Sequence, residues 1–141
     1  MKTKAATTVK AASDSEKITI NMGFVDLGQV DLLVSEGFYG NRSDFIRTAI
    51  RNQLSVHSDA LKQVVARKML VLGLQHFSAD ELRAVQAANQ KLQIRVLGLA
   101  TIADDVSPEL ALATIASLNV LGALHASPAV KAALANRQLY P

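Results

Sequence analysis

Polar and apolar side chains alternate in a short segment near the start of the chain. The polar set is Lys17, Thr19 and Asn21, interleaved with Ile18, Ile20 and Met22. A period of two predicts a β-strand with one polar and one apolar face. Lysine and asparagine can hydrogen-bond to the edges of DNA bases, and threonine offers a hydroxyl and a methyl group. The polar face therefore carries side chains suited to reading bases in a DNA groove.

Two predicted helices follow this strand and would have to position it. Asp26 is predicted to cap the first helix, and Gly37 is predicted to end it. Ser43 is predicted to cap the second helix, whose apolar positions include Phe45 and Ile46. The order over residues 17–54 is thus strand, helix, glycine-containing turn and helix.

This order resembles the ribbon–helix–helix DNA-binding fold of the Arc, MetJ and CopG type. The segment RSDFIRTAIR, residues 42–51, is similar to the pattern RSEFIRxAIR that is frequent in CopG-type regulators. Two departures are the Gly-Phe-Val stretch at residues 23–25, where proline often opens the first helix, and Gly28 inside that helix. The resemblance implies a dimer in which one strand from each chain forms a two-stranded ribbon that enters the major groove.

The resemblance also implies roles for individual residues. Base reading is assigned to the polar strand face already named. Phosphate binding is assigned to the start of the second helix, where free backbone amides and the helix dipole attract anions; the residues are Asn41, Arg42, Ser43 and Arg47. The dimer core is predicted to comprise Ile18, Ile20, Met22, Leu33, Phe45, Ile46 and Ile50. The alternative for the strand is a solvent-exposed edge strand without a binding role. The alternative for the start of the second helix is an ordinary helix cap.

Composition excludes several classes of protein. The chain has 141 residues, a formal net charge of +3 and no cysteine, so disulfides and thiolate metal sites are excluded. Because the net charge is small, nucleic-acid binding must be argued from where the charged residues lie in the sequence. Residues 1–16 are predicted to be a disordered arm without a secretory signal, and a cytoplasmic, nucleoid-associated protein is expected. The uncharged stretch 110–130 is long enough for a bilayer, but its Asn, Gly, His and Pro residues argue against a membrane span.

The second half contains an internal repeat. Val-Leu-Gly recurs at residues 71–73, 96–98 and 120–122, and each copy is followed by a serine at a predicted helix N-cap: Ser78, Ser107 and Ser127. The predicted fold class is α+β, with the ribbon–helix–helix segment at 17–54, a linker or short helix at 55–70, and a small leucine-rich-repeat-like strand–helix solenoid at 71–141. The chain ends soon after Leu134, so the last repeat is expected to lack a polar cap.

Histidines are candidate metal ligands, because some regulators of the family that this sequence resembles sense metals. His76, Thr101 and His125 occupy equivalent repeat positions and are expected to form a column, with the histidines two strands apart. That spacing, roughly twice 4.8 Å, is too wide for one ion. No metal site, cofactor or catalytic group is predicted, so the chain is not expected to be an enzyme.

The sequence therefore predicts a homodimeric, sequence-specific DNA-binding transcriptional regulator, more specifically a repressor. Its expected partners are double-stranded DNA and further copies of itself, assembled through the repeats; no membrane, metal or small-molecule effector is expected. Two alternatives stay open. One is the antitoxin of a toxin–antitoxin pair, and the other is an architectural DNA-binding protein that polymerises through its repeats.

Overall fold

The computed structural model describes residues 15–139 and divides into two compact units after Val56. The predicted arm at 1–16 lies almost entirely outside the described residues. The first unit contains two helices, and the second contains a parallel sheet with helices. Helix and strand are both well represented, which confirms the α+β class.

The first unit contains α1, Phe24–Ser35, and α2, Arg42–Val56. Gly37 ends α1 as predicted, because its φ of 87° is accessible to glycine. The Gly37 amide donates to the Val34 carbonyl and the Phe38 amide donates to the Leu33 carbonyl, which is the Schellman arrangement. The prediction that Asp26 caps α1 was wrong: the helix begins earlier, with Gly23 at the N-cap and Asp26 in the first turn.

The start of α2 also differs from the prediction, because Asn41 rather than Ser43 is the cap. The Asn41 Oδ1 atom accepts a hydrogen bond of 2.8 Å from the Asp44 amide, and the Asn41 carbonyl accepts one of 3.2 Å from the Phe45 amide. Asparagine and serine cap helices about equally well, so sequence alone could not choose between them. Ser43 lies in the first turn of α2.

Residues 16–23 lie outside any helix or strand of the single chain. A strand is defined by hydrogen bonds to a neighbouring strand, and the described part of one chain supplies no neighbour here. The two-stranded ribbon, which needs a second chain, therefore stays a prediction.

The second unit alternates helices with parallel strands. Its elements are α3 Ser58–Lys68, β1 Val71–Phe77, α4 Ala79–Ala87, β2 Leu92–Ile102, α5 Pro108–Thr114, β3 Ile115–His125, α6 Pro128–Ala133 and a short 3₁₀ turn Ala135–Arg137. The sheet has the order β1-β2-β3 with parallel neighbours. Such strands need crossover connections, which α4 and α5 provide.

Serine caps begin three of these helices, as the repeats predicted. Ser78 Oγ accepts from the Glu81 amide, Ser107 Oγ from Leu110 and Ser127 Oγ from Val130. At the first of them, the Ser78 amide also donates to the Glu81 carboxylate at 2.9 Å. This backbone hydrogen bond lowers the pKa of Glu81, so the cap is reciprocal.

The repeats pair in register across the sheet. Val71 lies beside Val96, and Val96 lies beside Val120, so the three glycines form a row across the strands. We call Gly73, Gly98 and Gly122 the glycine row. All three have positive φ, between 119° and 144°. A Cβ on Gly98 would lie 2.1 Å from the Gly73 carbonyl oxygen, and one on Gly122 would lie 2.1 Å from the Gly98 oxygen. Close backbone approach therefore requires glycine at the second and third positions.

The core of this unit lies between the helices and one face of the sheet. Its fully buried side chains include Leu82, Val96, Ile102, Ile115, Leu118 and Val130. The uncharged stretch 110–130 is shared between α5, β3 and α6. Within residues 15–139, no helix has the length and apolar character needed to cross a membrane.

The end of the second unit is covered, contrary to the expectation of an uncapped last repeat. Arg137 Nη1 donates to the carbonyls of Leu112 and Ile115, at 2.5 and 2.8 Å. The Leu139 amide donates to the Leu118 carbonyl, and Gln138 forms a short parallel bridge with the same residue. The residues after Leu134 thus cover the start of the β3 edge. The extension of the stack into a longer solenoid stays a prediction.

Candidate nucleic-acid interface

The first unit leaves most of its apolar side chains exposed. Among residues 15–56 only Val30 is buried. Ile18 and Ile20, the apolar face of the predicted strand, are 74% and 61% exposed. Further exposed side chains are Phe24, Val25, Leu32, Phe38, Ile50, Leu54 and Val56. Exposed apolar area of this extent in one small unit marks an interaction surface.

A groove brings the strand segment together with α2. It has a volume of about 440 Å³ and is lined by Glu16, Lys17, Ile18, Ile20, Ser43, Ile46, Arg47 and Ile50. The isoleucines in it belong to the predicted dimer core. Lys17, Ser43 and Arg47 belong to the predicted DNA-binding set. The two sets therefore meet in one place, although they come from segments more than 20 residues apart in the sequence.

The remaining predicted site residues are not among those that line this groove. Met22, Leu33 and Phe45 are half-buried, whereas Thr19 and Asn21 are exposed. The Phe45 ring contacts Tyr39 edge to face, with a centroid distance of 5.0 Å. That contact fixes the turn between the helices against the first turn of α2.

Arg42 is held by a partner that sequence reasoning missed. Its Nε atom lies 2.7 Å from Asp31 Oδ1, and its Nη2 atom lies 2.8 Å from Asp31 Oδ2. This is the two-pronged geometry that arginine forms with carboxylates. The Arg42 hydrogen bond lowers the pKa of Asp31, and the same bond raises the pKa of Arg42. Both side chains are about half exposed. No local pattern in the sequence links them, because they are joined only by the fold of the turn.

The electrostatic character of the α2 start follows from these contacts. The Arg42 charge is balanced by Asp31, and the Asp44 carboxylate accepts from the Gly40 amide at 2.9 Å. Lys17 and Arg47 form no salt bridge within the described part of the chain. The cations available to an anion at this groove are therefore Lys17 and Arg47, and Arg42 only if Asp31 releases it.

The histidine column of the second unit is confirmed by the strand register. His76 lies beside Thr101, and Thr101 lies beside His125. Over residues 15–139, no group of three or more His, Asp or Glu side chains is arranged to hold a metal ion.

The chain matches a known protein family. A family model described as the Ribbon-Helix-Helix transcriptional regulator family matches residues 13–131, which covers most of both units. No curated protein and no solved structure matches the chain significantly. The match extends well beyond residues 17–54, so the strand–helix repeats lie within the family model.

Proposed function

Because the chain belongs to the ribbon–helix–helix transcriptional regulator family, we propose that it is a homodimeric, sequence-specific DNA-binding repressor. Two copies of the segment around Lys17, Thr19 and Asn21 would form a ribbon in the major groove. The observation that supports this proposal is the exposure of Ile18 and Ile20 in the groove beside α2.

Dimerisation follows from the incomplete core of the first unit. Ile18 and Ile20 face a groove that also exposes Ile50. Burying a side chain of this size contributes about 1.5–3 kcal/mol. Pairing two strand segments would turn these side chains towards the helices of both chains and supply the hydrogen bonds that the single segment lacks.

Base recognition is proposed for the face opposite these isoleucines. In paired strands, alternation would turn Lys17, Thr19 and Asn21 away from the apolar core. Lysine can donate to guanine O6 and N7, and asparagine can pair with adenine N6 and N7. With two chains, six such side chains would face the DNA together.

Phosphate contact is proposed for the start of α2. The side-chain oxygen of Asn41 accepts the hydrogen bond that caps α2, which leaves the side-chain amide NH2 of Asn41 as a donor. Ser43 and Arg47 line the groove edge nearby. Arg42 would join them by exchanging the Asp31 carboxylate for a phosphate. Such contacts orient the protein on the duplex without reading sequence.

The second unit is proposed to control higher assembly. Antitoxins of this fold class usually carry C-terminal tails that are disordered when alone, whereas this second unit has a buried core of its own. That core favours the regulator over the antitoxin. The covered start of the β3 edge disfavours an open filament that grows through that edge.

Selection of bound fragments from genomic DNA tests the proposed function. A sequence-specific dimer should enrich two related half-sites in inverted repeat, because operator symmetry follows protein symmetry. Titration of a selected fragment should give two chains, or a multiple of two, per site. Binding without any enriched sequence would instead support the architectural protein, and no DNA binding would reject both.

A further inference from the structure

Among the described residues of the second unit, helices pack against one face of the sheet. The side chains that pack with the helices come from alternate strand positions and include Val96, Leu118 and Val120. The intervening positions point to the opposite face. We call this opposite face the leucine face; its two rows are Leu72, Leu97 and Leu121, and Leu74, Leu99 and Ala123.

The leucine face is apolar and uncovered. Leu72 and Leu74 are 74% and 70% exposed, and the other members of the two rows are half-buried by their neighbours in the sheet. None of the six belongs to the core cluster beneath the helices. Parallel sheets are almost always covered on both faces. A bare apolar face is therefore an incomplete surface.

Polar groups lie only at the two ends of the leucine face. Arg95 and Asn119 are neighbours at one end, and the histidine column lies at the other. The Asn119 Oδ1 atom is buried without a hydrogen-bond partner in the described part of the chain. A buried unpaired oxygen costs free energy, which is consistent with a hydrogen-bond partner supplied by another surface.

The two stretches outside the described residues carry few large apolar side chains. Residues 1–14 read MKTKAATTVKAASD, with three lysines and one valine, and residues 140–141 are Tyr-Pro. Neither stretch supplies a row of leucines or isoleucines. A second copy of the same face is uncharged at its centre, apolar and built with the same spacing.

We propose that the leucine face packs against the leucine face of a second copy, sheet on sheet. This contact specifies the surface behind the self-association proposed above and rests on that proposal. Two sheets packed in this way lie about 10 Å apart, with side chains interdigitated. The same patch is used by both copies, so the contact is self-complementary and closes.

A small apolar contact suffices if the chains are already joined elsewhere. A stable interface between independent proteins buries about 800 Å² on each partner, whereas the two rows of the leucine face contain only six side chains. Ribbon pairing would hold two leucine faces on one particle. The second contact then forms at the high effective concentration that linkage provides.

The test separates the two contacts in the full-length chain. Ile18→Lys with Ile20→Lys places charges in the ribbon core and should break ribbon pairing. Leu72→Lys with Leu121→Lys places charges on opposite edges of the leucine face. Leu72 is largely exposed in one chain, and Leu121 lies outside the core cluster, so folding should persist, as circular dichroism would verify. Leu61→Lys, on α3, is the matched control because Leu61 is also exposed.

Sedimentation equilibrium then gives the mass of each variant. Without ribbon pairing the face contact is intermolecular and weaker, so the ribbon variant should shift from single chains to pairs as its concentration is raised, and so should the ribbon variant carrying Leu61→Lys. Adding Leu72→Lys and Leu121→Lys to it should yield single chains at every concentration. A ribbon variant that stays a single chain over the whole concentration range overturns the leucine-face proposal, whatever its DNA binding.

The single face substitutions identify the occupied surface. Leu121→Lys alone, in the ribbon variant, should weaken pairing at least tenfold. If Leu72→Lys weakens pairing and Leu121→Lys does not, the contact is made by the β1 edge and the face proposal is wrong. DNA binding by the otherwise unmodified chain reports on the proposed function separately, so the two failures are distinguishable.

Discussion

Single residues at the start of α2 determine the charge that this helix presents. Asp31 holds Arg42 through two hydrogen bonds, so in the proposed complex the arginine would exchange one anion for another on binding DNA. The ion pair is exposed, and such pairs contribute little to stability. Its larger effect would be on the charge available to DNA.

Replacing Asp31 should therefore strengthen general DNA binding. In Asp31→Asn, Arg42 loses its carboxylate partner, and the slope of log K against log salt should steepen by about 0.9, the value for one added phosphate contact. Arg42→Ala should leave the slope close to that of the unmodified chain or make it shallower. The control is Asp26→Asn, which removes the same charge from the first turn of α1. Equal effects of the two asparagine variants would show that Arg42 is not being released.

The same pair predicts an acid dependence of stability. The pKa of Asp31 is lowered in the folded chain by the Arg42 hydrogen bond. Its stabilisation is therefore present above the ordinary aspartate pKa of about 3.9 and is lost as the pH falls through the lower folded pKa. In thermal melts, the difference between the unmodified chain and Asp31→Asn should shrink as the pH falls below the ordinary aspartate range. A difference that stays constant as the pH falls contradicts the assignment.

Among the elements, the sheet depends most sharply on its glycine row. Gly98→Ala should destabilise the second unit by about 2–5 kcal/mol, from overpacking against the Gly73 carbonyl and from a strained backbone. Gly73→Ala meets no atom within 4 Å and should cost only the strain, about 1–3 kcal/mol. Denaturant unfolding measures both.

A helical glycine provides the control for these variants. Gly28 lies in α1 with nothing within 4 Å of an added Cβ, so Gly28→Ala should stabilise the first unit by about 1 kcal/mol. If Gly98→Ala costs no more than Gly73→Ala, the close approach in the glycine row is not maintained in solution.

The elements also show what sequence can and cannot predict. The Val-Leu-Gly repeats predicted strand positions and neighbours well, because equal spacing places equivalent residues side by side. The serine caps followed from local chemistry that needs no tertiary information. The Asn41 cap was missed because two good capping residues lie two positions apart. Arg42–Asp31 and the Arg137 contacts were missed because each joins residues that only the folded chain brings together.

At the scale of the whole molecule, the proposed DNA-binding unit contains two chains. A polypeptide of residues 15–56 buries only Val30 when single, so it should be folded only as a dimer. Its melting temperature should then rise with concentration, because dissociation and unfolding are coupled. A melting temperature independent of concentration, together with the mass of one chain, would mean that the segment completes its core alone.

The central claim is that the polar face of the paired strand segments reads DNA bases. The most direct test compares the affinity of the protein for a selected site with its affinity for random DNA, before and after Lys17→Ala, Thr19→Ala and Asn21→Ala are combined. Each good base contact contributes about 1–3 kcal/mol of discrimination, so the affinity ratio should fall at least tenfold while circular dichroism is unchanged. Lys62→Ala, which removes one lysine from α3, should leave the ratio intact. A triple variant that still prefers the selected site as strongly as the unmodified chain would contradict the account.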